Sequence, residues 1–143
     1  MKKMRWLWCA MAALLMMGSL NGCAQEKGGL NVVASFYPMA DFASKIGGDR
    51  VTVTTMVPSG TEPHDWEPSP KDIVGLERAG VFVYNGAGME HWVQDVLNSL
   101  GNKGLIAVEA AKGVTLLNEG DGESDPHVWL DPENAKVEMG NIR

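Results

Sequence analysis

The sequence predicts an α/β lobe in which a parallel sheet is flanked by helices on both sides. Three observations carry the prediction. Short β-branched runs alternate with stretches of helical periodicity from Asn31 to Arg143, the order that a parallel sheet with helical crossovers requires. The first of these runs is apolar on both of its alternating faces, as in a strand covered on each side. The helical stretches carry their own start or stop residues, which makes them separate crossovers.

Asn31-Val32-Val33-Ala34-Ser35-Phe36-Tyr37 reads as the first strand, ended by Pro38. Met39, Phe42, Ala43 and Ile46 then recur at helical spacing, and Gly47-Gly48 supplies a C-terminal stop. Val51 to Val57, rich in Val and Thr, is a second strand. Ser69-Pro70-Lys71-Asp72 predicts an N-cap with proline at the first helical position, and Ile73, Leu76 and Ala79 form the buried stripe of that helix before Gly80. Val81 to Asn85 is a third strand, and Leu105 to Val108 is a fourth. Between them, Glu90 to Leu100 is a helix with Trp92, Val93, Val96, Leu97 and Leu100 inward. Val32, Val53, Val83 and Ile106 are the expected inward strand positions. Asp131-Pro132-Glu133-Asn134 opens a last helix with Asp131 as N-cap and Ala135, Met139 and Ile142 on one face. That helix runs to Arg143 with no capping residue and no partner for its apolar side, so the chain is expected to be the N-terminal part of a longer protein, with a second lobe beyond it.

The first residues read as an address. Lys2, Lys3 and Arg5 precede the apolar run Trp6 to Met17, the layout of a signal peptide, and the run is too short to span a bilayer comfortably. Gly18 breaks it, and Leu20-Asn21-Gly22-Cys23 resembles a lipobox, at which a bacterial lipoprotein precursor is lipidated on cysteine and cut just before it. An ordinary secretory signal with an incidental Cys23 is the alternative. Attached acyl chains supply the multiple hydrophobic anchors that stable membrane attachment needs. The expected organisation is a leader over 1–22, a small polar tether over 23–29, and a lobe over 30–143. It places the protein outside the cytoplasm, anchored to a bacterial membrane through Cys23.

Composition removes other classes. The formal net charge of −6 lacks the clustered Lys and Arg that release counterions from nucleic acid, so no nucleic-acid partner is expected. Both cysteines, Cys9 and Cys23, lie in the N-terminal segment, which leaves none downstream for a disulfide framework or a thiolate metal cluster. There is no phosphate-binding glycine loop and no activated serine or cysteine, and no enzymatic activity is expected.

Two histidines sit in similar loops. Pro58 to Pro70 contains His64 among four prolines, which limit the entropy that a bound ligand could cost. Asp125-Pro126-His127-Val128-Trp129-Leu130-Asp131-Pro132 repeats the Pro-His pair with a tryptophan two residues on. Neutral imidazole ligates first-row metals, and its second nitrogen is usually fixed by a carboxylate or carbonyl; Asp65, Asp125 and Asp131 are the candidate orienting groups. Two imidazoles alone fall short of the four donors of a closed zinc site or the more oxygen-rich set of manganese. His91 is read as a solvated or packing histidine, and Glu62, Glu67 and Glu90 as solvent-facing or capping acids. The run Glu119, Asp121, Glu123, Asp125 is read as a solvated acidic loop.

At this point three ordered segments resemble a known family. Gly60-Thr61-Glu62-Pro63-His64-Asp65-Trp66-Glu67-Pro68-Ser69-Pro70, Asn85-Gly86-Ala87-Gly88-Met89-Glu90 and Asp125 to Pro132 are together similar to the solute-binding lipoproteins of zinc and manganese ABC importers. The resemblance implies two α/β lobes joined by one rigid helix, with Zn2+ or Mn2+ held between them. It implies His64 and His127 as metal ligands, with further donors, a His or Glu and an Asp or Glu, from the second lobe. It implies a monomer that delivers its ion to ABC permease and ATPase subunits. Two other readings remain open at this point: an extracellular metallohydrolase with an open water position on the metal, and an adhesin whose metal is structural.

Overall fold

The computed structural model describes residues 29–119 and 123–143. The predicted leader, Cys23 and all of the tether but Gly29 lie outside the described residues, as do Gly120, Asp121 and Gly122 of the acidic run. Strands β1 (Leu30–Ala34), β2 (Val51–Thr55), β3 (Val81–Tyr84) and β4 (Ile106–Glu109) form a four-stranded sheet in the order β2-β1-β3-β4. Every neighbouring pair is parallel. Parallel neighbours need a crossover, and the crossovers here are α1 (Tyr37–Gly47), α2 (Pro70–Glu77) and α3 (Val93–Ser99). After β4 come a short antiparallel hairpin, β5 (Asn118–Glu119) with β6 (Glu123–Ser124), a single 3-10 turn at Val128–Leu130, and α4 (Pro132–Ile142).

Both faces of the sheet are covered, as the apolar first strand predicts. Val32, Ala34 and Val83 point into a core with Met39, Ala40 and Ala43 of α1, and Ile142 of α4 packs against it. Val33 and Phe82, one residue out of phase, point into a second core with Leu76, Ala79, Trp92, Val93 and Val96. Period-two alternation along each strand thus feeds two separate layers.

Local chemistry fixes the element ends. Pro38 lies in the first turn of α1 and opens it, so β1 stops at Ala34, short of the predicted Tyr37. Gly48 closes α1 at φ 54, a backbone angle that side-chain-bearing residues rarely adopt. The Asp72 carboxylate accepts from the Ser69 amide at 2.8 Å and from its hydroxyl at 2.6 Å, clamping the start of α2. Asp131 accepts from the Glu133 amide at 2.8 Å, the predicted N-cap of α4.

Four expectations are corrected. The third helix starts at Val93, because Glu90 turns back as an acceptor for loop amides instead of continuing the helix. Glu90 is itself buried, at 7% exposure. Val53 is only half-buried and Ile106 is 61% exposed, because β2 and β4 are the edges of the sheet and only β1 and β3 have neighbours on both sides. On α4 the most deeply buried side chain is Glu138, at 0% exposure, one position before the predicted Met139.

Candidate metal centre

The carboxyl ends of the parallel strands meet at one edge of the sheet, where open α/β folds place their ligands. The β2 end leads into the His64 loop, the β3 end into Asn85–Trp92, and the β4 end by way of the hairpin into Asp125–Asp131. Two segments more than sixty residues apart in sequence are thereby brought face to face. The His64 and His127 rings lie with centroids 5.5 Å apart and planes at 65°.

Each histidine has its own support. The His64 amide donates to Glu62 Oε1 at 3.4 Å. Trp66, two residues on, meets Trp92 edge to face at 5.4 Å and so ties this loop to the approach to α3. On the other side His127 Nδ1 lies 2.7 Å from Asp125 Oδ1, and the same oxygen accepts the His127 amide at 2.9 Å. These two bonds from His127, the amide first, hold the Asp125 carboxyl below its usual range. With Nδ1 engaged, Nε2 is the nitrogen left to bind a cation. Trp129 backs the ring at 5.3 Å and rests in turn against Phe36 at 4.9 Å.

The remaining candidates fall elsewhere. No hydrogen bond among the described residues joins Asp65 or Asp131 to either imidazole; Asp65 is exposed and Asp131 caps α4. His91 Nε2 faces Glu67 Oε1 at 3.6 Å, both on the surface, and no ring contact joins it to the histidine pair among the described residues. Such a pair adds little stability. Among the described residues no group of three or more His, Cys, Asp or Glu could hold a metal ion; His64 and His127 are the two imidazoles brought together here. An open depression of about 630 Å³ adjoins His127, lined in part by Leu117, Asp125, Leu130 and Asn134.

Sequence reasoning named two residues at this edge, Asn85 and Glu90, without reading their burial or their bonds. Glu90 accepts from Ser35 Oγ at 2.6 Å and from the Asn85 and Gly86 amides at 2.9 and 3.0 Å. Burial pushes its carboxyl above the usual range, against the pull of those three bonds. Asn85 is fully buried and bonds to Pro126 beside His127. The available signal was the run Gly86-Ala87-Gly88, which invites left-handed backbone and leaves amides in need of an acceptor.

The class that the fold defines is an open α/β lobe with two histidine loops at the carboxyl edge of its parallel sheet, the edge where such sheets hold ligands. The chain belongs to the family described as zinc-uptake complex component A, periplasmic (ZnuA), whose profile matches residues 32–143. It is 41% identical over 139 residues to the high-affinity zinc uptake system protein ZnuA of Bacillus subtilis, covering 87% of this chain and 44% of that protein. It is 37% identical over 123 residues to the manganese-binding lipoprotein MntA of Halalkalibacterium halodurans, covering 86% of this chain and 41% of that one. Among solved structures, the Zn(II)-bound ZnuA-like domain of Streptococcus pneumoniae AdcA superposes with a TM-score of 0.73 at 39% identity, over 80% of this chain and 42% of that chain. The chain thus spans less than half the length of these relatives. The family is one of metal-binding uptake components, not of enzymes, which sets the metallohydrolase reading aside.

Proposed function

We propose that this chain is the metal-capturing lobe, residues 30–143, of an extracytoplasmic solute-binding lipoprotein that takes up Zn2+ or Mn2+ for an ABC importer. One observation carries the proposal: the separation of the two imidazoles. Rings bound through nitrogen to one tetrahedral ion at about 2.1 Å have centroids roughly 5 Å apart, and the His64–His127 separation of 5.5 Å matches that spacing. His64 and His127 are the two donors. Asp125, bonded to His127 Nδ1, is the group that fixes its tautomer, while Asp131 serves α4 and Asp65 the solvent. The remaining donors come from a second lobe, as the resemblance implies. Protonated imidazole does not ligate, so binding weakens on acidification.

Calorimetry with Zn2+ and with Mn2+ tests this. Wild type should bind, weakly for want of further donors; the double substitution His64→Ala and His127→Ala should abolish binding, and His91→Ala should leave it unchanged. Equal binding by wild type and the double variant removes the site.

The proposal extends to the membrane. Relatives of this chain carry the name lipoprotein, and Cys23 stands where a lipidated cysteine is expected. Metabolic labelling with a radioactive fatty acid should mark the protein, and Cys23→Ala should lose the label; a variant that keeps it defeats the anchor.

A further inference from the structure

The segment Asn85–Glu90 supplies no donor to the histidine pair, yet it holds the most heavily bonded buried carboxylate at this edge of the sheet. Glu90 gathers Ser35 at the end of β1 and the Asn85 and Gly86 amides at the end of β3. The backbone between is a left-handed turn, with Gly86 at φ 80, Ala87 at φ 53 and Gly88 at φ 88. The φ of 80 at Gly86 is one that side-chain-bearing residues rarely adopt, and a Cβ there would also push the Glu109 side chain aside from 2.5 Å. A turn of this kind aims its amides at one point, and the Glu90 carboxylate occupies it.

The turn delivers one side chain. Asn85 is fully buried, and its Nδ2 donates to Gly86 O at 2.9 Å and to Pro126 O at 3.0 Å. Both partners are carbonyl oxygens, which can only accept, so the amide orientation is forced. Pro126 immediately precedes His127. The backbone carbonyl of Asn85 adds a second tie, accepting the Ala111 amide at 2.9 Å.

We propose that Asn85, oriented by Glu90, is a positioning residue that holds the Pro126–His127 segment at the distance from His64 needed to share one ion. This rests on the two-histidine reading above. Asp125 sets the tilt of the His127 ring from within the same loop and travels with it, and Trp129 adds apolar packing against Phe36, which carries no direction for the Pro126 backbone. The Asn85 bond ties that loop to the sheet, whose edge also carries the His64 loop. Asn85→Asp keeps size and shape, removes the donor, and sets a carboxylate against two carbonyl oxygens. The Pro126 segment should then lift away while the sheet persists.

Two readouts test the proposal. With Cu2+ as probe, the nitrogen superhyperfine pattern in electron paramagnetic resonance counts the imidazoles on one ion. Wild type should show two and Asn85→Asp one, with about a tenfold loss in affinity; a purely structural loss would lower thermal stability but leave two imidazoles in the folded fraction. Without metal, exchange of the Leu130 and Asp131 amides, which bond to His127 O and Val128 O, should quicken at least tenfold, while that of the Met56 amide, bonded to Ala34 O in the sheet, stays constant. Should Asn85→Asp not fold, Asn85→Ser takes its place, because a hydroxyl can serve Gly86 O but is too short for Pro126. Two imidazoles in the variant, or unchanged loop exchange, overturns the positioning role. Fewer than two in wild type instead defeats the shared-ion reading, and the exchange arm still decides whether Asn85 holds the loop.

Discussion

Replacing Val83 with aspartate should leave the chain unfolded at neutral pH, whereas the same replacement at Ile106 should be tolerated. Val83 is fully buried on β3, paired with Ala34 of β1 on one side and Val108 of β4 on the other, and its side chain enters the core against α1. A carboxylate there has no partner and costs several kcal/mol whether it stays charged or takes up a proton. Domain stability is about 5–15 kcal/mol, so such a loss, together with the missing Val83 packing, removes most or all of it. Ile106 is 61% exposed on the outer strand, where a substitution costs about 0.5 kcal/mol. Urea titrations followed by tryptophan fluorescence check both. Similar midpoints for Val83→Asp and Ile106→Asp would mean that β3 and β4 are misplaced.

The contrast between Val83 and Ile106 marks where sequence reading succeeds and where it stops. Both residues stand in short β-branched runs, and the runs themselves are legible: the four strands fall within a few residues of their predicted places. Which strand lies inside is decided by the order β2-β1-β3-β4, and no local window contains that order. The capping chemistry of α2 and α4 was legible for the opposite reason, since Ser69 with Asp72, and Asp131 with Pro132, act within one helical turn.

The histidine loops show the same division. Pro-His pairs with nearby tryptophan and carboxylates drew attention to His64 and His127, and strand order then placed both at one edge. Which carboxylate serves His127 could not be read from spacing, because Asp125 and Asp131 both lie within one turn of it along the chain. The N-cap of α4 engages Asp131, and the turn at Pro126 folds Asp125 back onto both His127 nitrogens that can donate to it, ring and backbone. Glu90 reads as a solvent-facing or capping acid because carboxylates are almost never buried without partners, and its partners come from just past β1 and from its own turn, 55 and four or five residues away.

A second buried carboxyl leads to the remaining prediction: Glu138→Gln should stabilise the protein at pH 8 and leave it nearly unchanged below pH 4.5. Glu138 lies on the inner face of α4 at 0% exposure, and neither of its carboxyl oxygens has a hydrogen-bond partner among the described residues. Burial first, and then the nearby Glu90 charge, push its pKa up from 4.5 to about 7. The division of labour between the two acids is physical: Glu90 has three donors to stabilise its charge, and Glu138 has none, so Glu138 keeps the proton. The sign follows from proton counting. Below 4.5 both folded and unfolded chains carry the Glu138 proton, and the site makes no difference. Between 4.5 and about 7 the unfolded chain releases the proton while the folded chain retains it, so stability falls as pH rises, by on the order of 1–3 kcal/mol in all. Above about 7 the folded chain is ionised as well, and the penalty is complete and constant. Glutamine keeps the shape without the charge and escapes this loss. Asp125, whose pKa is shifted the other way, contributes equally to wild type and variant and cancels in the comparison. Urea titrations of both proteins at pH 5, 6, 7 and 8 should therefore diverge steadily and then run parallel; curves parallel throughout would mean that Glu138 is not buried against Glu90 in solution.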